Sequence, residues 1–163
     1  VIVGKADASG GCGAGACRGV YFASPCILQG FSVSNCYAAA EGDDTAKGGA
    51  GIFATANAQI ADCRFENCVG DKGAIGFHGA YMRCEFRNGY ATTACFRGAR
   101  FFTACSFFNN WGGSQGVIYG GEGKLYNCSM WAGVFDGTFS RNYGGGTYLY
   151  NSLLMKYLLE IQR

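Results

Sequence analysis

The sequence has little charge, one histidine and one proline. Charged residues make up 15% of its 163 residues, and the formal net charge of +2 is the balance of 13 basic and 11 acidic side chains. These charges are scattered, so the chain lacks the basic patch that nucleic-acid binding requires, and we expect no nucleic-acid partner. Hydrophobic residues make up 49%, which excludes a disordered polymer and allows one packed domain.

Long apolar runs are also absent. No stretch of 18 apolar residues occurs, so we expect no membrane span. The sequence has instead 28 glycines, 13 phenylalanines, 10 tyrosines and 10 cysteines, a composition that favours strands and turns over helices. The chain begins at Val1 rather than at methionine, which we interpret as removal of a signal peptide or as a fragment of a longer protein.

A short strand-like segment repeats along the chain. Five copies follow one another at spacings of 21 to 24 residues: 62–67, 83–88, 104–109, 127–132 and 151–156. An earlier copy at 31–35 precedes an excursion through residues 42–48. Because so short a repeat cannot form a βαβ unit of about 30 residues, each strand must pair with the same strand one coil later. We therefore predict an all-β fold, a right-handed single-stranded parallel β-helix (solenoid) of about six coils.

Within each copy, apolar and polar residues alternate, which is typical of a strand with one buried face. The buried face predicts a stacked core ladder of Cys63, Cys84, Cys105 and Cys128 with Phe65, Phe86 and Phe107. A second strand per coil is expected near Ile52, Ile75, Phe96 and Ile118.

The outer positions provide an independent indication of the register. Stacking the coils pairs opposite charges: Asp62 with Arg83, Arg64 with Glu85, and Glu66 with Arg87. Asparagine recurs at one corner, where stacked amides can hydrogen-bond from coil to coil: Asn35, Asn67, Asn88 and Asn109.

The repeat places residues 1–163 in a single domain. We expect an entry coil and loop over 1–25, regular coils over 26–151, and a closing segment over 152–163 that forms a short helical cap. An open solenoid end exposes strand edges that invite another chain. The N-terminal end has no comparable cap, so we expect self-association into a filament, sheath or layer.

Several segments resemble the repeats of polymorphic outer-membrane proteins. Residues 30–35 and 63–67 are similar to the Phe-x-x-Asn element of those repeats, and residues 48–52 and 73–75 are similar to the Gly-Gly-Ala-Ile element. The resemblance covers nearly the whole chain and implies an autotransporter-like parallel β-helix, extracellular or on the cell surface. Its implied role is structural or adhesive and noncatalytic, with a polysaccharide or host-surface ligand as partner.

The alternative function is a β-helix that binds or cleaves polysaccharides and resembles pectate lyases or polygalacturonases. Such enzymes need clustered acids. Asp43 and Asp44, with His78 later, are partly similar to the Asp-Asp and Gly-His-Gly elements of polygalacturonases, although Phe77 replaces the leading glycine. The two acids lie in the excursion at 42–48, where a solvated turn and a calcium site are the other interpretations. We favour the noncatalytic function and expect no cofactor other than calcium.

The cysteines have three interpretations, which are disulfides, metal ligands and small buried residues. The Cys12 to Cys17 spacing and the single histidine disfavour zinc, so we expect no metal site of this kind. The core column is expected to stay reduced, because parallel side chains in register disfavour the disulfide torsion. The candidate disulfide residues are Cys36 with Cys68 at one corner, and Cys12, Cys17 and Cys26 in the entry segment.

Three aromatic residues break the polar pattern of the outer face. Phe108, Trp111 and Trp131 fall on or beside positions that earlier coils fill with Glu66 and Arg87. Clustered exposed aromatic residues mark contact surfaces. We therefore predict a binding surface here; cover by a loop or by a neighbouring subunit is the other interpretation.

Overall fold

Short β-strands build nearly all of the described chain. The computed structural model describes residues 1–121, 123–132 and 148–156. Its elements are β1 (Ile2–Val3), β2 (Val20–Tyr21), β3 (Ile27–Gln29), β4 (Ser32–Ser34), α1 (Asp44–Lys47), β5 (Ile52–Phe53), β6 (Gln59–Ala61), β7 (Arg64–Glu66), β8 (Val69–Phe77), β9 (Ala80–Met82), β10 (Glu85–Arg87), β11 (Tyr90–Arg97), β12 (Phe101–Thr103), β13 (Ser106–Phe108), β14 (Trp111–Gly112), β15 (Ile118–Tyr119), β16 (Lys124–Tyr126), β17 (Ser129–Ala132), β18 (Tyr148–Tyr150) and β19 (Leu153–Lys156). Among the described residues, no helix has the length and apolar character needed to cross a membrane.

Three parallel sheets run along the molecule. The first sheet has the order β1-β4-β7-β10-β13-β17-β19, and the third has the order β3-β6-β9-β12-β16-β18. The second sheet has the order β2-β5-β8-β11, and β11 pairs with both β14 and β15. The strand pairs are parallel, with each strand against its equivalent in the next coil. The predicted all-β parallel solenoid is confirmed.

The register of the first sheet agrees with the sequence repeat. Phe86 lies opposite Phe65 on one side and opposite Phe107 on the other, and Phe107 lies opposite Met130. A one-residue slip would move all of these side chains to the outer face, so burial of the rings fixes the register.

Ion pairs accompany this register on the outer face. Arg83 Nε lies 2.6 Å from Asp62 Oδ1, and Arg64 Nε lies 3.4 Å from Glu85 Oε1. The hydrogen bond from Arg83 holds the pKa of Asp62 below its ordinary value. In the third expected pair, Arg87 turns instead to Glu85 of its own strand.

Left-handed corners bound the strands of the first sheet. The residues before these strands with φ near +50° are Asp62, Arg83, Ala104, Asn127 and Asn151, and those after them are Asn35, Asn67, Asn88 and Asn109. Asparagine is enriched in this backbone region because its short polar side chain bonds locally. The amides also bond between coils: Asn67 to Asn35 at 3.3 Å, Asn109 to Asn88 at 2.9 Å and Asn151 to Asn127 at 2.8 Å.

Aromatic rings fill much of the space between the sheets. The first sheet contributes Phe86, the second Phe96 and the third Tyr81 and Phe102, and all four are fully buried. The Phe86 and Phe96 ring centroids are 4.7 Å apart in an edge-to-face arrangement, and Tyr81 stacks on Phe102 at 5.2 Å.

The second sheet departs from the prediction at one position. Ile52 and Phe96 both lie opposite Gly76, not opposite Ile75. A Cβ atom at Gly76 would overlap the Tyr81 hydroxyl, so the third sheet supplies the bulk that this position lacks.

The closing segment begins as a strand and not as the predicted helical cap. β19 pairs in parallel with β17, with Leu153 opposite Ser129. Asn151 provides the same left-handed corner as in earlier coils, and this corner directs the chain back onto the first sheet. The remainder of the predicted cap, residues 157–163, lies outside the described residues.

The entry segment forms an antiparallel clasp in which Lys5 pairs with Cys17. Inside the clasp, the Asp7 carboxylate accepts hydrogen bonds from the backbone and hydroxyl of Ser9, at 2.9 and 2.6 Å, and from the Gly15 backbone at 2.7 Å. These bonds lower the pKa of Asp7 to about 2, so an ionised carboxylate holds the loop at neutral pH.

Candidate binding surface

An outer row of the first sheet changes from charged to aromatic along the solenoid. Glu66, Arg87, Phe108 and Trp131 occupy the same position in successive strands. The Phe108 and Trp131 ring centroids are 5.8 Å apart, and the Arg87 guanidinium carbon lies 4.7 Å from the Phe108 centroid. Trp131 is 39% exposed. We call Phe108 and Trp131 the outer aromatic row.

The third predicted aromatic residue, Trp111, belongs to the second sheet. Its ring stacks on Tyr90 with centroids 4.4 Å apart and planes inclined by 11°. Tyr90 is 48% exposed and was not among the predicted site residues. The signal for it is the 21-residue spacing between the two positions, which are opposite each other in the sheet.

A groove of about 390 Å³ lies beside Tyr90. Its lining comes from the second sheet, the corner after β4 and the entry loop: Cys12, Ala39, Ala40, Val69, Gly70, Asp71, Tyr90 and Thr92. We call it the Tyr90 groove. Most of its lining residues are small, which leaves one side of the tyrosine accessible.

One corner separates the outer aromatic row from the Tyr90 groove. Phe108 ends β13 and Trp111 begins β14 only three residues later. Between them, Asn110 is turned into the core and is 2% exposed. Its Oδ1 accepts from the Gly89 backbone N–H at 2.9 Å, and its Nδ2 donates to the Phe86 carbonyl at 3.0 Å. The buried amide therefore fixes the corner that presents two aromatic clusters on adjoining faces.

The two aspartates of the predicted catalytic alternative hold the excursion at 42–48. Asp43 Oδ1 accepts from the Thr45 backbone N–H at 3.0 Å and so caps α1. Asp44 pairs with two residues of the second sheet, Lys72 at 2.5 Å and Arg97 at 3.3 Å. The hydrogen bond from the Thr45 hydroxyl lowers the pKa of Asp43, and the bond from Lys72 lowers the pKa of Asp44. Both carboxylates are therefore ionised and engaged in structural contacts.

His78 also has contacts within the fold. Its Nδ1 lies 3.3 Å from the Gly98 carbonyl oxygen, and its ring packs edge-on against Phe77 at 4.6 Å. Among the residues that the structure describes, no group of three or more His, Cys, Asp or Glu side chains could hold a metal ion. Calcium at Asp43 and Asp44 stays a prediction.

The structure stacks Cys63, Cys84, Cys105 and Cys128 in one buried column. Each Sγ lies 3.1–3.4 Å from the carbonyl oxygen two residues earlier and 3.5–3.7 Å from a carbonyl oxygen of the preceding coil. The Ser152 hydroxyl continues the column with equivalent acceptors at 3.0 and 3.2 Å. Contact with the Cys128 thiol, together with contact with Cys84 and burial, raises the pKa of Cys105, so this thiol stays protonated.

The structure forms none of the candidate disulfides, because all ten cysteines are free thiols. Cys36 and Cys68 occupy equivalent corners, and each thiol points to the carbonyl two residues earlier, at 3.2 and 3.7 Å. Side chains with this common direction do not reach the torsion of a disulfide. The other three thiols contact separate carbonyls: Cys12 that of Val69, Cys17 that of Gly15 and Cys26 that of Ser24.

Comparisons with known proteins leave the chain without an identified family. No protein-family model matches it, and neither the curated proteins nor the solved structures contain a match. The resemblance to polymorphic outer-membrane proteins therefore holds for the parallel β-solenoid fold and is not shown at the level of the family.

Proposed function

We propose that this protein is a noncatalytic, extracellular β-solenoid that attaches to a surface through its outer aromatic row. The observation that carries the proposal is the replacement of Glu66 and Arg87 by Phe108 and Trp131 at one outward position. Aromatic side chains bring a large contact area at low cost in conformational entropy, which is why they dominate the energetics of contact surfaces. The extracellular location comes from the resemblance of the repeats.

The environment of the acidic residues supports a noncatalytic role. An acid that exchanges protons with a substrate needs a pKa near the working pH and an accessible carboxyl group. The pKa values of Asp43 and Asp44 are instead shifted down, and each carboxylate is bound within the fold. A pair that holds a loop in place is better explained by stability than by chemistry.

Retention on insoluble polysaccharides and on mucin-coated beads tests the adhesive role. We expect wild type to be retained, and the Phe108→Ala/Trp131→Ala variant to lose at least about tenfold in retention, because it removes the two exposed anchors. Tyr126→Ala is the matched control, since it removes an outward ring from the third sheet, and it should bind like wild type.

Two outcomes would contradict the proposal. One is equal retention of the double variant and wild type on every matrix. The other is release of reducing or unsaturated sugar ends from acidic polysaccharides, with or without calcium, that Asp44→Ala abolishes. The second result would make the polysaccharide-cleaving alternative the correct function.

We also propose self-association through the N-terminal coil. The first strands of the three sheets, β1, β2 and β3, contain no charged residue, and their outward side chains Val3, Tyr21 and Ile27 are all more than half exposed. Natural edge strands usually carry charges that prevent pairing with another chain. The end of each sheet can therefore continue into the strands of a second copy.

Adding charge to these edges tests the assembly. We expect light scattering and sedimentation to show concentration-dependent oligomers of wild type, and monomers of a Val3→Lys/Ile27→Lys variant, because lysine on an edge strand opposes pairing. Gln59→Lys places the same charge opposite Ile27 but one coil inward, and should assemble like wild type. A wild-type protein that stays monomeric at high concentration would exclude this mode of association.

A further inference from the structure

The Tyr90 groove has the shape of a slot with an aromatic wall. Val69, Tyr90 and Trp111 occupy the same position in successive strands of the second sheet. Trp111 covers one face of the Tyr90 ring, at 4.4 Å. The opposite face is directed toward the coil of Val69, where the groove lies. A flat ligand entering the groove would therefore stack on a tyrosine whose orientation is already held from behind.

The polar groups of the groove lie close to this aromatic wall. Asp71 and Thr92 line the groove, and the Asp71 carboxylate accepts hydrogen bonds from the hydroxyls of Thr92 and of Thr93, the latter at 2.6 Å. These bonds lower the pKa of Asp71, so the carboxylate is ionised and is an acceptor at neutral pH. Both threonine hydrogen bonds use Oδ1, which leaves Oδ2 as a potential acceptor for a ligand.

The remaining lining and the local charge narrow the class of ligand. Ala39, Ala40 and Gly70 provide apolar, closely approachable walls, and the volume lies within the range of small-molecule sites. An anionic ligand is disfavoured by Asp71. A cationic ligand is disfavoured because Lys47 and Lys72 act electrostatically on Asp71 and offset its charge. A neutral ligand with one apolar face and several hydroxyl groups fits both conditions.

We propose that the Tyr90 groove binds a sugar unit of a neutral polysaccharide. The C–H face of the sugar ring stacks on Tyr90, and its hydroxyl groups donate to Asp71 and exchange hydrogen bonds with Thr92. This inference rests on the proposed adhesive function and deepens it, because it gives the class of ligand and a second contact site around the corner from the outer aromatic row.

Titration with soluble oligosaccharides tests this assignment. The probes are β-1,4-linked hexasaccharides of glucose, xylose, mannose and N-acetylglucosamine, followed by calorimetry and by Trp111 fluorescence. We expect at least one to bind wild type, Tyr90→Ala to weaken that binding at least about tenfold, and Asp71→Asn to weaken it about tenfold. Tyr90→Phe keeps the ring and should stay within about twofold of wild type.

Tyr150→Ala is the matched control, because Tyr150 is also a half-exposed tyrosine stacked on another ring, Tyr126, at 4.7 Å. It should bind the hexasaccharide as wild type does. Circular dichroism and thermal unfolding of each variant verify that the fold is retained. Tyr90→Phe and Asp71→Asn keep the size of the side chain, so a folded form of each remains available for comparison.

Several results would overturn the assignment. Equal affinity of wild type and Tyr90→Ala would show that the sugar binds elsewhere, and binding of tetramethylammonium in place of every sugar would show a cation site. If no hexasaccharide binds but wild type is still retained on a matrix through the outer aromatic row, this inference fails while the proposed function stands. If a hexasaccharide binds the groove but no matrix retains the protein, the proposed function fails alone.

Discussion

Replacing Phe86 by alanine should cost about 3 to 5 kcal/mol in the free energy of unfolding, a large part of the about 5 to 15 kcal/mol that stabilises a typical domain. Phe86 is fully buried in the first sheet. Its ring contacts residues from all three sheets: Phe65, Tyr81, Phe96, Phe102 and Phe107. The packed strands hold their positions on both sides, so the cavity left by the ring cannot close fully.

Urea denaturation followed by circular dichroism measures this change. Arg87→Ala is the control, because Arg87 is the next residue in the same strand and points outward. Its variant should unfold close to the wild-type midpoint, as surface substitutions usually do. Equal midpoints for the Phe86 and Arg87 variants would show that Phe86 does not lie in a common core, and would contradict the solenoid itself.

The second large effect is expected at Gly76. Alanine there should destabilise the protein by about 2 to 4 kcal/mol, because its Cβ would overlap the hydroxyl of Tyr81. Tyr81 is fully buried and donates a hydrogen bond to the His78 carbonyl at 2.9 Å, so the ring cannot move aside without losing that bond. The backbone of Gly76 is not left-handed, which makes the effect one of space.

Two further variants separate overlap from a general effect of alanine in this strand. Gly70→Ala in the same strand places its Cβ 3.3 Å from the Ala38 Cβ and should cost at most about 1.5 kcal/mol. Tyr81→Phe removes the obstructing hydroxyl, so the Gly76→Ala/Tyr81→Phe variant should be more stable than the sum of the single effects by at least about 1 kcal/mol. Strict additivity would mean that Gly76 and Tyr81 do not meet.

The first sheet was predictable because its inward residues come from few types at a constant spacing. Cysteine and phenylalanine alternate in each copy, and a one-residue error would expose both. The third sheet follows the same spacing, with Ile60, Tyr81 and Phe102 each 21 residues apart, but its inward residues change in type from coil to coil. A pattern of size and polarity reveals such a sheet less readily than a repeated residue.

Features that depend on contacts between distant segments were not predictable. The pairing of Ile52 with Gly76 depends on Tyr81, which comes from another sheet. The Tyr90 groove depends on Cys12, which the entry loop brings against the second sheet. The candidate disulfide between Cys36 and Cys68 was an inference from proximity alone, and the direction of the two thiols decides against it.

The left-handed corners make each coil a closed unit of conformation. Every strand of the first sheet from β7 to β13 starts and stops at a residue with the same backbone torsion, so the chain leaves a coil in the state in which it entered. A coil of 21 residues can therefore be copied or deleted without changing the geometry of its neighbours. The length of such a protein is a quantity that gene duplication adjusts in whole steps.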